Sequence, residues 1–185
     1  MGFHTFDSDR AAALEDAAER YRYCSREELH ALVAPHTDMR LADLGSGTGF
    51  FTDALAPHVE TVYAVDVQTA MHDHYREKGV PSNVELVEAD AADLPFAADE
   101  LDAAVSTMTF HEFADADALD EVARVLRPGG RLLTVDWDRA GDGEAGPPRD
   151  ETYSLADAVS LQTEAGFTVE RADQRPETFV TASRL

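Results

Sequence analysis

Asp43-Leu44-Gly45-Ser46-Gly47-Thr48-Gly49 ends an apolar run that begins at Leu41, with glycines at three alternate positions. Glycine lets the backbone turn sharply and lets a ligand approach main-chain N–H groups with no Cβ in the way. A helix beginning beyond the loop would aim its positive end at the same place, which suits an anionic group. The spacing is GxGxG. It is neither the GxGxxG of dinucleotide pyrophosphate sites nor the GK[ST] of a phosphate-gripping loop. Asp43, two residues before the first glycine, would sit badly beside a pyrophosphate and well beside an ammonium. Two further acids end apolar runs: Asp66 follows Val62–Val65, and Asp90 follows Val87-Glu88-Ala89. A carboxylate at Asp66 can accept hydrogen bonds from both hydroxyls of a ribose, and Asp90 can accept one from the exocyclic amine of adenine. One ligand carrying an ammonium, a ribose and an adenine would use all three.

For these groups to converge, they must stand at one edge of one sheet. Short apolar runs at 40–44, 61–66, 83–88, 101–106 and 130–136 read as strands, with helical stretches at about 50–57, 68–78 and 115–126 between them. That alternation predicts an α/β, Rossmann-like, doubly wound and mostly parallel sheet. Leu126-Arg127-Pro128-Gly129-Gly130 reads as a helix stop and a tight turn into the fifth strand. A Gly-, Pro- and charge-rich loop at 139–152 precedes a helix at 154–165, and strands near 167–173 and 177–183 follow. Those two are joined by so few residues that they must run antiparallel. Ahead of the sheet, one helix is predicted from Asp9 to about Arg22 with Ser8 or Asp9 as its cap. A second opens at the capping-box pattern Ser25-Arg26-Glu27-Glu28. The reading is a single domain, with residues 1–37 as a helical cap and 38–185 as the core.

The 185 residues carry 37 carboxylates against 15 basic groups, a formal charge of −22, and Lys78 is the one lysine beside 14 arginines. Such depletion of lysine reads as adaptation to a salt-rich cytoplasm. At ~1 M salt the Debye length is about 3 Å, so a very acidic surface hardly repels itself. With 44% hydrophobic residues the chain has material for a core, so wholesale disorder is excluded. Cys24 stands alone, which excludes an internal disulfide, a cysteine-rich metal cluster and a CxxC redox pair. His72 and His74 fall on nearly opposite faces of a predicted helix and cannot share a metal. No run is long enough to span a membrane, and the first residues lack a basic-then-apolar leader pattern, so the expected location is cytoplasmic. No basic patch for nucleic acid is evident.

Taken together and in order, DLGSGTG, YAVDV, EADAADLPF and LRPGGRLL resemble the class I S-adenosylmethionine-dependent methyltransferases, especially the small ones related to quinone methyltransferases. The resemblance covers residues 38–136 most strongly. It implies a seven-stranded sheet whose last hairpin reverses one strand, and S-adenosylmethionine as cofactor. Carried over residue by residue, it implies that Asp43 and the loop Gly45, Ser46, Gly47 and Gly49 hold the methionine end. Asp66 with Val67 would hold the ribose, Asp90 with the amide of Ala91 would read the adenine, and Ser106 to Thr109 would line the sulfonium.

The acceptor is a small metabolite on this reading, apolar or aromatic in body. His111, just after the fourth strand, is the best-placed titratable group to act as a base or to orient it. Tyr21, Tyr23, Phe50, Phe110, Phe113 and Trp137 are candidates for the pocket wall, with core packing as the plainer role for the phenylalanines. Ser106-Thr107-Met108-Thr109 is not an NPPY-like segment, which argues against methylation of adenine or glutamine amino groups. One lysine cannot furnish a Lys-Asp-Lys-Glu ribose methylase, and one cysteine argues against cysteine-based methylation of arsenic or cytosine. Two other classes stay open: a non-catalytic cofactor-binding or partner subunit, and a dinucleotide-dependent oxidoreductase.

Overall fold

A computed structural model describes residues 6–185. Seven strands form one sheet in the order β3-β2-β1-β4-β5-β7-β6. They are β1 (Arg40–Leu44), β2 (Thr61–Asp66), β3 (Val84–Glu88), β4 (Leu101–Thr107), β5 (Leu126–Trp137), β6 (Thr168–Gln174) and β7 (Thr178–Arg184). β7 alone is reversed, pairing antiparallel with both β5 and β6, as the short connection requires. The expected 130–136 strand begins earlier. Leu126 already pairs with Leu101, and the Arg127–Gly130 stretch is a bulge before Arg131 pairs with Ala103.

Alternate residues of the strands feed two cores, one on each face. Leu41, Val62, Val105 and Leu133 pack on one side with Leu29, Leu32, Phe51 and Leu55. Ala42, Leu44, Val65 and Leu132 pack on the other with Leu119, Val122, Phe167 and Phe179. The helices are α1 (Ala17–Tyr23), α2 (Arg26–Val33), α3 (Phe50–Leu55), α4 (Thr69–Lys78), α5 (Phe110–Phe113), α6 (Ala116–Val125) and α7 (Leu155–Glu164). Among the described residues none is long and apolar enough to cross a membrane.

The predicted 9–22 helix is in fact two elements. Ser8–Glu15 is a 3₁₀ helix capped by Asp7, and Asp16 then takes extended backbone, its carboxylate accepting from the amides of Ala18 and Glu19 to start α1. An acid able to cap a new helix in mid-pattern breaks a periodicity that side-chain type alone would continue. α5, a single turn, falls below the length that periodicity can reveal.

Candidate active site

A cavity of about 810 Å³ opens beyond the carboxyl ends of β1, β2, β4 and β5, at the point where the sheet reverses its order of connection. Gly45, Ser46 and Gly47 form its floor, but their amides are committed. Gly45 and Ser46 both donate to the Val65 carbonyl at 2.9 Å, and Gly47 donates to Asp66 Oδ2 at 2.8 Å. The loop therefore serves the cavity through its shape rather than through free donors. A Cβ on Gly45, at φ +71°, would lie 2.1 Å from the Thr109 side chain. Gly49 does not reach the cavity. It caps α3 at φ +81°, where a Cβ would stand 2.2 Å from the Tyr75 ring, so its role is packing.

Asp66 lies in the cavity wall, bound also by the Gln68 amide at 2.8 Å. Burial raises its pKa against the pull of those two amides. Val67, half exposed, lines the same wall, as do Ala91 and Asp90, whose carboxylate accepts from the Ala92 amide. Asp43 is placed differently. It is fully buried behind the wall, with one oxygen accepting from Thr52 Oγ1 at 2.6 Å and the other without a partner. Burial pushes its pKa up to about 6, opposed by Thr52 and by the charge of Arg20. Arg20, from α1, does face the cavity. It lies over the Phe50 and Phe51 rings and keeps an unpartnered Nε. An isolated arginine in a helical pattern carries no signal in sequence, and its role appears only when α1 crosses the sheet edge.

At the other end of the cavity stands His111. Its Nδ1 lies 2.9 Å from Asp136 Oδ1, and its main-chain amide donates to Asp136 Oδ2 at 2.5 Å. Asp136, at the end of β5, is fully buried and also accepts from the Trp137 amide at 2.7 Å. The carboxylate thus holds the proton on Nδ1 and leaves Nε2 as the acceptor atom facing the cavity. Burial disfavours charge on His111, but the adjacent Asp136 outweighs it and the pKa is raised. Asp136 also stands near a strand end, but nothing in its neighbouring residues distinguishes it from a surface acid, and it meets His111 only once β5 pairs with β4. Met108, beside it in the wall, holds φ +61°, a conformation strained for a long side chain.

Three expected wall residues lie elsewhere. Ser106 is inside β4, fully buried and paired with Thr134, so the wall begins at Thr107. The side-chain period of two sends Ser106 and Thr107 to opposite faces. Tyr21 packs on Phe50 at 5.1 Å outside the cavity, and Phe110 is a core residue against Phe113, Tyr153 and Phe179. Tyr23, Phe50, Phe113 and Trp137 do line the cavity, Tyr23 standing edge-on to Trp137 at 4.7 Å. The 139–152 loop also contributes wall. Glu177 accepts from the Gly143 and Glu144 amides, and Gly146 lies against the face of Trp137. Among the described residues no cluster of three metal-ligating side chains occurs.

A family model described as a methyltransferase domain matches residues 42–134. The chain is 38% identical over 122 residues to the biotin biosynthesis bifunctional protein BioHC of Cellvibrio japonicus, covering 65% of this chain and 24% of that one. It is 37% identical over 107 residues to a demethylmenaquinone methyltransferase of Clavibacter sepedonicus, covering 57% and 44%. The chain thus spans less than half the length of these relatives. A solved S-adenosylmethionine-dependent methyltransferase from Aquifex aeolicus superposes with a TM-score of 0.87 at 27% identity, over 97% of this chain and 99% of that one.

Proposed function

The chain belongs to the class I S-adenosylmethionine-dependent methyltransferases, and on that premise we propose that it methylates a small metabolite whose aromatic or apolar body lies against Tyr23, Phe113 and Trp137. The observation that carries this reading is one continuous cavity with Asp66 at one end and the open Nε2 of His111 at the other. When bound, S-adenosylmethionine supplies an electrophilic methyl group on a sulfonium.

The residues fit that cofactor. Asp66 and Asp90 can accept from ribose hydroxyls and the adenine amine, with Val67 and Ala91 as apolar surface for the base. The methionine carboxylate goes to Arg20, whose Nε has no partner, while the orphan oxygen of Asp43 supplies negative potential beneath the ammonium. Thr107, Met108 and Thr109 border the space between cofactor and acceptor. Aligning the two and excluding water is the main task in such a displacement. His111 takes the acceptor's proton at Nε2, and Asp136 holds the ring in the tautomer that allows it.

Calorimetric titration with S-adenosylhomocysteine and, separately, with NAD tests the cofactor. Binding of the first and not the second is expected, and the reverse would leave the oxidoreductase reading. Transfer of radiolabelled methyl into a metabolite extract would distinguish an enzyme from a non-catalytic binder.

A further inference from the structure

With 37 carboxylates to 15 basic groups, an arginine without an acid partner is unexpected in this chain. Arg40, Arg124, Arg127, Arg139, Arg175 and Arg184 each form an ion pair. Arg10 and Arg20, the two arginines of the cavity wall, form none among the described residues and lie over aromatic rings instead. The acids of the same wall are placed differently. Asp7, Asp66, Asp90 and Asp115 accept from main-chain amides of Asp9, of Gly47 and Gln68, of Ala92 and of Ala118. Glu112 accepts from the amide of Phe6. These carboxylates hold turns and helix starts and need no ligand to satisfy them. Arg20 is matched by the methionine carboxylate, the one anionic group that the cofactor brings. Arg10 is left over.

Arg10 is exposed at the rim, yet the element that carries it is fixed. The 3₁₀ helix Ser8–Glu15 is tied down at both ends. The Phe6 carbonyl accepts from Gln68 Nε2 at 3.1 Å and the Phe6 amide donates to Glu112. At the other end Glu15 accepts from Thr48, and a Cβ on Gly47 would stand 3.3 Å from Leu14. Phe6, over whose ring Arg10 lies at 5.7 Å, is thus tied to α5, the element that bears His111. We propose that the methyl acceptor carries a carboxylate remote from the atom that is methylated, and that Arg10 receives it as a bidentate pair at the cavity rim. The flat fork of a guanidinium matches a carboxylate, and a fixed helix leaves less freedom to lose on binding. The His111 side chain is only 8% exposed, so the reacting atom must lie deep while Arg10 stands at the mouth. The two ends of the acceptor are therefore far apart. A phosphate monoester would bring a charge of about −2 past the wall acids, where a carboxylate brings one. Burial pushes the Glu112 pKa up to about 7, so a proton taken up there offsets the repulsion that an entering anion meets.

The proposal rests on the methyltransferase reading, and one experiment separates their failures. The full chain in about 1 M KCl is saturated with S-adenosylhomocysteine. It is then titrated with three probes of similar length that differ in the end group: 4-phenylbutyrate, 4-phenylbutanol and 4-phenylbutylamine. Fluorescence of Trp137, the chain's one tryptophan and a wall residue, reports binding. The carboxylate is expected to bind at least about fivefold tighter than either of the others. Arg10→Met should abolish that preference and Arg10→Lys should keep part of it. Neither should alter affinity for S-adenosylhomocysteine, which also certifies the fold of each variant. Equal or weaker binding of the carboxylate, no binding of it up to millimolar concentration, or a preference that survives Arg10→Met would overturn the proposal. So would loss of S-adenosylhomocysteine affinity in an Arg10→Met chain that is folded by circular dichroism, since Arg10 would then belong to the cofactor. Failure of the wild-type chain to bind S-adenosylhomocysteine would instead remove the reading beneath it.

Discussion

Asp136 has three donors aimed at it, the His111 ring and two backbone amides, and this makes it the residue on which the His111 end of the cavity is organised. Asp136→Asn removes the charge that raises the His111 pKa. By NMR titration of the ring nitrogens, that pKa should fall, and the Nδ1-protonated tautomer should lose its dominance. The sign for stability follows. A histidine whose pKa is raised in the folded state contributes stability below its unfolded value near 6.5, and the contribution disappears as pH rises through the folded value. Denaturation of wild type and His111→Gln should therefore differ more at pH 5.5 than at pH 8.5. His111→Ala should lower turnover far more than it alters affinity for S-adenosylhomocysteine, and equal turnover would reduce His111 to scaffold. Asp66→Ala removes the acceptor we propose for the ribose and leaves the Gly47 and Gln68 amides without their partner. By calorimetry it should weaken S-adenosylhomocysteine binding by about 1.5–3 kcal/mol.

Between elements, the glycine loop and the N-terminal 3₁₀ helix form one latch. Thr48 of the loop donates to Glu15, and Lys78 bridges Glu15 at 3.1 Å and Asp53 at 2.9 Å from the end of α4. Asp53 in turn accepts from the Tyr75 hydroxyl at 2.6 Å. The lone lysine thus sits where one compact charge must satisfy two carboxylates over the Tyr75 ring, a geometry that the wide, flat guanidinium of arginine suits poorly. Lys78→Ala should release the 3₁₀ helix, so that hydrogen exchange accelerates in residues 8–15 before it does in β1 or β4. Gly49→Ala meets both a left-handed backbone and the Tyr75 ring, and chemical denaturation should show a loss of about 1–3 kcal/mol. The strand spans and the glycine turn were legible because buried parallel strands leave short apolar runs between punctuating residues. The Asp16 break, the single turn of α5 and the walls supplied by the 139–152 loop were not, since each depends on what packs opposite.

Across the whole molecule the charge of −22 is a property of the surface far more than of the site. In dilute buffer the carboxylates repel one another across a long Debye length, and at molar KCl they do not. The melting temperature should rise between about 0.1 M and 2 M KCl; a flat dependence would count against a salt-filled cytoplasm as the chain's setting. The buried pairs of the site, screened much less by salt, should change little over the same range, so the affinity for S-adenosylhomocysteine at a temperature where the chain stays folded should vary far less than its melting temperature.

The amino-acid sequence by itself determined the order of strands and helices, the reversed final strand, the glycine turn and the acids at three strand ends. These depend on local apolar patterning and on loop lengths, and both are written along the chain. Only the tertiary structure decided that Asp43 stands behind the wall while Arg20 stands in it, that Ser106 and Phe110 turn into the core, and that Asp136 reaches His111 from 25 residues away. Which side chains share a cavity depends on the face each one takes where separate elements meet, and that is settled by packing rather than by spacing.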